Sequence, residues 1–214
     1  MTILHHPADE TLVGYTGGTL DTARRLVVAS HLERCVACRT FVHGAEQVAG
    51  AMMEDMTPAA MSPKALQLTL ARLETARDSA PPAGLAQAQD GAGLPVCLRG
   101  YDLGAWRWVG PGVQMRSILL PKASETRLFL LKGAPGTRLP QHTHTGAELT
   151  SILVGSYHHD GGNFGAGDFE EADEGIEHRP VVGGDQHCIC LVALDGRLKL
   201  SGVIGALLNP FVRL

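Results

Sequence analysis

Hydrophobic and polar positions change their period once along this chain, near residue 80. From residue 9 to 78 apolar positions recur every three or four residues, the period of an α-helix. Leu20, Ala23, Val27 and His31 share one face, and Phe41, Ala45, Val48, Met52 and Met56 form a second stripe. Ser62-Pro63 reads as a helix start, with serine as the cap and proline in the first turn. Leu66, Leu70 and Leu73 follow at helical spacing. The pattern predicts about four helices. Later in the chain, Val113–Leu120, Leu128–Lys132, Leu149–Tyr157 and Cys188–Leu194 are short apolar-rich runs bounded by Gly, Pro or Asp. Such runs predict a small antiparallel barrel or sandwich. Residues 79–95 (SAPPAGLAQAQDGAGLP) are poor in bulky apolar residues and rich in Ala, Gly, Pro and Gln, which is linker composition. The chain therefore reads as two domains: a small all-α bundle over 1–78, a flexible linker over 79–95 and an all-β barrel over 96–214.

Composition narrows the class. Of 214 residues, 44% are hydrophobic and 19% charged, with a net charge of −4, normal for a folded soluble chain. Residues 1–80 hold seven Lys/Arg against nine Asp/Glu, and the remainder eleven against thirteen. Neither half is basic, so direct nucleic-acid binding is not expected. Without an apolar run of transmembrane length or a signal-like N-terminus, a cytoplasmic location is expected, with no membrane association. The five cysteines, in a reducing compartment, point to metal or redox chemistry and not to a disulfide framework.

The first candidate site is His31-x3-Cys35-x2-Cys38. At about 100° per residue, these three fall on one narrow stripe of a helix, or of a helix end that continues it; His43 does not. Structural zinc takes four N/S ligands in a tetrahedron, so a fourth must come from elsewhere. His5 and His6, just before the first helix, are the candidates, and spacing leaves the choice open. The second site is His142-Thr143-His144-x3-Glu148 with His178 downstream. The first three share parity, so an extended segment would aim them all inward. Three imidazoles and a carboxylate suit Zn, Fe, Mn or Ni. Cys188 and Cys190 share parity as well. If inward, they are candidate redox-sensing thiols near the metal; otherwise they are small core residues. Cys97 has no obvious partner, His158-His159 reads as a solvated turn, and His187 should face outward. Met52, Met53 and Met56 are candidates either for core filling or for partner contact, since methionine surfaces adapt to partners.

A histidine near the N-terminus followed by His31-x3-Cys35-x2-Cys38 in a small helical domain resembles the zinc-binding anti-sigma factors, over roughly residues 1–80. That resemblance implies a zinc ion held by His6, His31, Cys35 and Cys38, and helices that wrap a group IV (extracytoplasmic-function type) sigma factor. Gly136-x5-His142-x-His144-x3-Glu148-x6-Gly155 resembles the first cupin motif. Gly167-Asp168, Gly175 and His178 resemble the second, with Asp173 where proline is usual. These motifs imply a divalent metal, zinc being the first expectation, on His142, His144, Glu148 and His178. The combination resembles the ChrR-type subgroup of anti-sigma factors over essentially the whole chain, including Cys188-Ile189-Cys190 and Asn209-Pro210-Phe211. It implies a non-enzymatic regulator of transcription that binds one sigma factor per chain and inhibits it. The cupin domain would be needed to release it under singlet oxygen or organic hydroperoxide stress. The alternative is a cupin metalloenzyme, a dioxygenase or isomerase, with an accessory helical domain. A thiolate-rich site, for which a barrel enzyme has no use, favours the regulator, as does the lack of further acid/base residues beside the ligands.

Overall fold

A computed structural model describes residues 2–77, 93–121 and 125–201. Of the expected linker, only residues 93–95 fall among these, and Asn209-Pro210-Phe211 lies outside them. Four helices open the chain: α1 (Asp9–Thr16), α2 (Thr22–Leu32), α3 (Val36–Glu54) and α4 (Ala65–Arg77). Asp21 caps α2 by accepting a hydrogen bond from Arg24 N at 3.0 Å. The His31–Cys38 stripe does not lie on one unbroken helix. After Leu32 the chain turns, with Arg34 N and Cys35 N both donating to His31 O. Cys35, in extended conformation, then caps α3, its thiol accepting from Cys38 N at 3.4 Å. The last helix begins at Ala65, later than Ser62-Pro63 suggests, because Ser62 closes a turn through its hydroxyl and carbonyl before the helix starts.

The second apolar stripe is not a core. Val42 is buried on α3, but Val48, Met52, Met53 and Met56 are 63–69% exposed. Leu66, Leu68, Leu70 and Leu73 of α4 are also exposed. The core-filling alternative for these methionines is therefore excluded.

A 3-10 turn (Val96–Leu98) leads, among the described residues, into twelve strands: β1 (Asp102–Leu103), β2 (Arg107–Gly110), β3 (Val113–Leu119), β4 (Arg127–Gly133), β5 (His142–His144), β6 (Glu148–Val154), β7 (Ser156–His159), β8 (Gly162–Gly165), β9 (Phe169–Ala172), β10 (Val181–Val182), β11 (Cys188–Leu194) and β12 (Leu198–Leu200). The expected strand over 149–157 is split. Gly155, at φ +72°, separates β6 from β7, and a Cβ there would stand 2.3 Å from His187 O, so only glycine fits. The main sheet runs β1-β3-β4-β11-β6-β9 with β2 on β3, and smaller sheets pair β10-β7-β8 and β12-β5, all antiparallel.

Central β11 is buried on both faces, which is why CICLVAL is an unbroken apolar run. Ile189, Leu191 and Ala193 join Leu128, Leu130, Leu149, Leu153 and Phe169 in one core with the helices. Cys188, Cys190, Val192 and Leu194 point the other way, among Phe129, Ile152, Tyr157 and Val182 in the barrel. Helix α2 lies on the outer face, against β4, β6 and β11, with Val27 and Val28 fully buried. Arg24–Asp195 (2.9 Å), Thr126–Asp21 (2.8 Å) and Arg34–Leu153 O (2.9 Å) fasten it there.

Candidate metal centres

The turn between α2 and α3, and the segment before α1, assemble the first cluster. Ligand atoms of His6, His31, Cys35 and Cys38 all lie within 4.8 Å of one another. His6 Nδ1 is 3.4 Å from Cys35 Sγ and 3.3 Å from Cys38 Sγ, and His31 Nε2 is 3.3 Å from Cys38 Sγ. Nitrogen and sulfur sharing one tetrahedral zinc stand roughly 3.5 Å apart, given its usual bond lengths; these three separations match that spacing, and the donor set fits the ion. His5 goes elsewhere: its ring packs on Phe164, centroids 4.3 Å apart. Behind the cluster, His31 Nδ1 donates to Gly167 O at 2.8 Å. A carbonyl only accepts, so the tautomer is fixed with the Nε2 lone pair toward the thiols. Burial above all lowers His31 to about 4, keeping it neutral as a ligand must be. Burial, then the neighbouring Cys35 thiol, pushes Cys38 up to about 12; a bound cation reverses that order by stabilising thiolate.

The second cluster lies inside the barrel. Nitrogens of His142, His144 and His178 all lie within 4.8 Å of one another. His142 and His178 face each other across a two-way backbone bridge, with 3.1 Å hydrogen bonds in both directions, and their Nε2 atoms are 3.0 Å apart. His142 Nδ1 donates to Pro140 O at 2.8 Å, and burial first of all lowers this imidazole to about 4. His144 is buried, its Nδ1 without a hydrogen-bond partner and its Nε2 facing the Glu148 carboxylate, a costly state for polar atoms that a metal among the three imidazoles would relieve. The donor set therefore fits a divalent ion. Glu148 is offset. Its Oε2 comes to 3.1 Å from His144 Nε2, but it is not one of the mutually close ligand atoms. The expected parity along one extended segment does not hold, because Thr145–Ala147 turn the chain and Glu148 opens β6. Asp173, in the usual proline position, accepts from Gly175 N at 2.8 Å and so closes the turn leading to His178.

An apolar cavity of about 470 Å³ adjoins this cluster, lined by Phe129, Leu131, Val192 and Leu194 together with His142, Glu148, His178, Cys188 and Cys190. Both thiols thus face inward, 3.6 Å apart. The hydrogen bond with Cys188, then burial, holds Cys190 well above the ordinary thiol range.

Three residues here escape a reading by motif. His158 is exposed as expected, but His159 is not: it ends β7 with its ring inward, and its Nε2 lies 2.6 Å from Glu170 Oε1. Glu170 also accepts the Tyr157 hydroxyl and lies 3.4 Å from His178 Nδ1. Burial alone would raise the Glu170 carboxyl; hydrogen bonds from His178 and Tyr157 outweigh it and hold it below the usual range. Alternation within β7 (Tyr157 and His159) and β9 was the available signal, but the HHDGGN turn signature obscured the first. Cys97, half-buried beside α2, donates toward Leu26 O at 3.6 Å, and His187 is exposed.

Residues 101–196 match the family described as the ChrR cupin-like domain. Along its whole length the chain is 38% identical to the anti-sigma-E factor ChrR of Cereibacter sphaeroides, covering 100% of both. It also superposes with TM-score 0.75 and 37% identity on a chain from the crystal structure of Rhodobacter sphaeroides SigE in complex with the anti-sigma ChrR, over 91% of this chain and 100% of that one.

Proposed function

The chain belongs to the ChrR family of anti-sigma factors, and from that premise we propose that it binds a group IV sigma factor one to one and keeps it from core RNA polymerase. It is a regulator and not an enzyme. The observation that carries this reading is the full-length likeness, joined by an apolar face on α3 and α4 that is left exposed among the described residues. Residues 1–78 act as the inhibitory unit and 96–214 as the responsive one, and the protein works in the cytoplasm, where a sigma factor is found. No helix among the described residues is long and apolar enough to cross a membrane.

Zinc on His6, His31, Cys35 and Cys38 folds the helical part, because the free energy of binding metal becomes free energy of folding. That centre brings α1, α2 and the start of α3 together, leaving the rest of α3 and α4 to offer Met52, Met53 and Met56 to the partner. In the barrel, His142, His144 and His178 hold a divalent metal, zinc first, with Glu148 beside His144. When bound, that metal supplies a centre on which a peroxide or singlet oxygen product can act. The chain's own contribution is a dry apolar cavity, three oriented imidazoles and two inward thiols. The hydrogen bond with Cys188 and burial disfavour the Cys190 thiolate; a metal held by the three imidazoles would supply Lewis-acid chemistry beside both thiols.

The test is purification of the full chain co-expressed with its sigma factor, with metal analysis of the same sample. An equimolar complex with about two zinc per chain is expected from the two centres. A full chain loaded with metal but without sigma factor would sink the reading.

A further inference from the structure

We propose that Glu170 is the positioning residue of the barrel ligand His178, and that β9, which carries Glu170 inward, is the connection between the barrel centre and the helical one. This rests on the proposed metal in each centre and not on the identity of the partner.

Strand β9 is four residues long, and successive side chains go to opposite faces. On the inner face, Glu170 Oε1 is 2.6 Å from His159 Nε2 and 3.4 Å from His178 Nδ1, while Oε2 accepts the Tyr157 hydroxyl. Ligand atoms of His159, Glu170 and His178 also lie within 4.8 Å of one another, but both Glu170 oxygens are engaged by side chains, which favours an anchor over a ligand. His178 turns its other nitrogen to His142, 3.0 Å away. A carboxylate behind a metal-binding imidazole sets its ring orientation and tautomer and raises its basicity.

On the outer side, the same strand and the turn before it hold the helical centre. Gly167 O accepts from His31 Nδ1 at 2.8 Å. Gly167 has φ +98°, a conformation that favours glycine, and a Cβ there would meet Ile3 at 2.9 Å. Asp168 Oδ1 accepts from Leu4 N at 2.7 Å and His5 N at 3.1 Å. Phe169 N donates to His5 O at 3.1 Å, and its ring meets His31 edge-on. Ala8 N donates to Glu171 at 2.9 Å. The segment bearing His6, and His31 itself, therefore hang on residues 167–171. A displacement of His178 acts on Glu170, and through one short strand on two of the four helical ligands. The chain between the domains is not on this route.

Cobalt(II) reports the two centres separately: thiolate ligation gives the helical one a charge-transfer band that an all-imidazole barrel cluster lacks. In the full chain E170Q should bind barrel cobalt about tenfold or more weakly, the thiolate band still saturating with one cobalt as the check on folding. Unaltered barrel affinity overturns the positioning role. So does a second cobalt in the parent barrel, which would make Glu170, with His159, a ligand. Should E170Q not fold, Y157F removes one anchor of the carboxylate; a severalfold loss is expected and no loss overturns the role. For the connection, amide exchange is followed in the parent chain with the helical centre loaded, then with both. Loading the barrel should slow Leu4, His5 and Phe169, and should fail to do so in E170Q. No slowing in the parent chain overturns the connection. None of these readouts involves a sigma factor, so failure here is distinct from failure of the proposed function.

Discussion

Two imidazoles aimed at the proposed metals are fixed from behind by carbonyl acceptors, Gly167 O for His31 and Pro140 O for His142, while the Glu170 carboxylate stands 3.4 Å behind His178. Ligand type was legible in the sequence because a metal selects residue types at short spacing; these acceptors were not, since a backbone carbonyl leaves no mark on residue choice. Two predictions belong at this scale. Cys35→Ser with Cys38→Ser should remove one zinc per chain and abolish partner binding, read by metal analysis and by pull-down; retained zinc at that centre would contradict its ligand set. Asp168→Asn should weaken docking of the N-terminal segment, on the order of 1–3 kcal/mol for buried bonds to a charged acceptor. Burial would raise the Asp168 carboxyl, but hydrogen bonds from Gly165, Leu4 and His5 outweigh it and hold it low. Its stabilising contribution is therefore present above the ordinary carboxyl pKa near 3.9 and lost as pH falls through the folded value. Acid titration of the parent chain should show that loss, and D168N should not.

Among the elements, α3 and α4 differ from α2 in what they cover. The buried stripe of α2 meets a sheet, whereas α3 beyond Val42 and the described side chains of α4 leave large apolar groups in solvent. Periodicity finds such stripes equally well in both cases, because it records amphipathicity and not what lies opposite. Met52→Asp with Met56→Asp, at exposed positions, should alter the melting temperature little yet weaken sigma-factor binding at least tenfold by isothermal titration, as expected where exposed apolar anchors carry an interface. The strand runs were legible where burial on one or both faces gave apolar density, as in β11, and missed where strands were two to four residues long, as in β1, β10 and β12. Gly155 and the turn at Thr145–Ala147 divided what parity alone treated as continuous.

Across the whole molecule, the helices and the barrel share a core through α2. A fragment of residues 1–80 keeps α3 and α4, so it should still bind the sigma factor. It also bares Val27 and Val28 and loses Gly167 behind His31, so it should melt well below the full chain. Calorimetry of the zinc-loaded fragment beside the full chain checks this. By itself the sequence determined that two groups of metal-ligating residue types exist, one in helices and one in a barrel, because those choices are made over spans of a few residues. Only the tertiary structure decided that His6 and not His5 meets the thiols, that Cys188 and Cys190 face the cavity, and that Glu170 and His159 stand behind His178. Those outcomes depend on contacts such as His31 to Gly167, 136 positions apart, and no local pattern of polarity carries information over that distance.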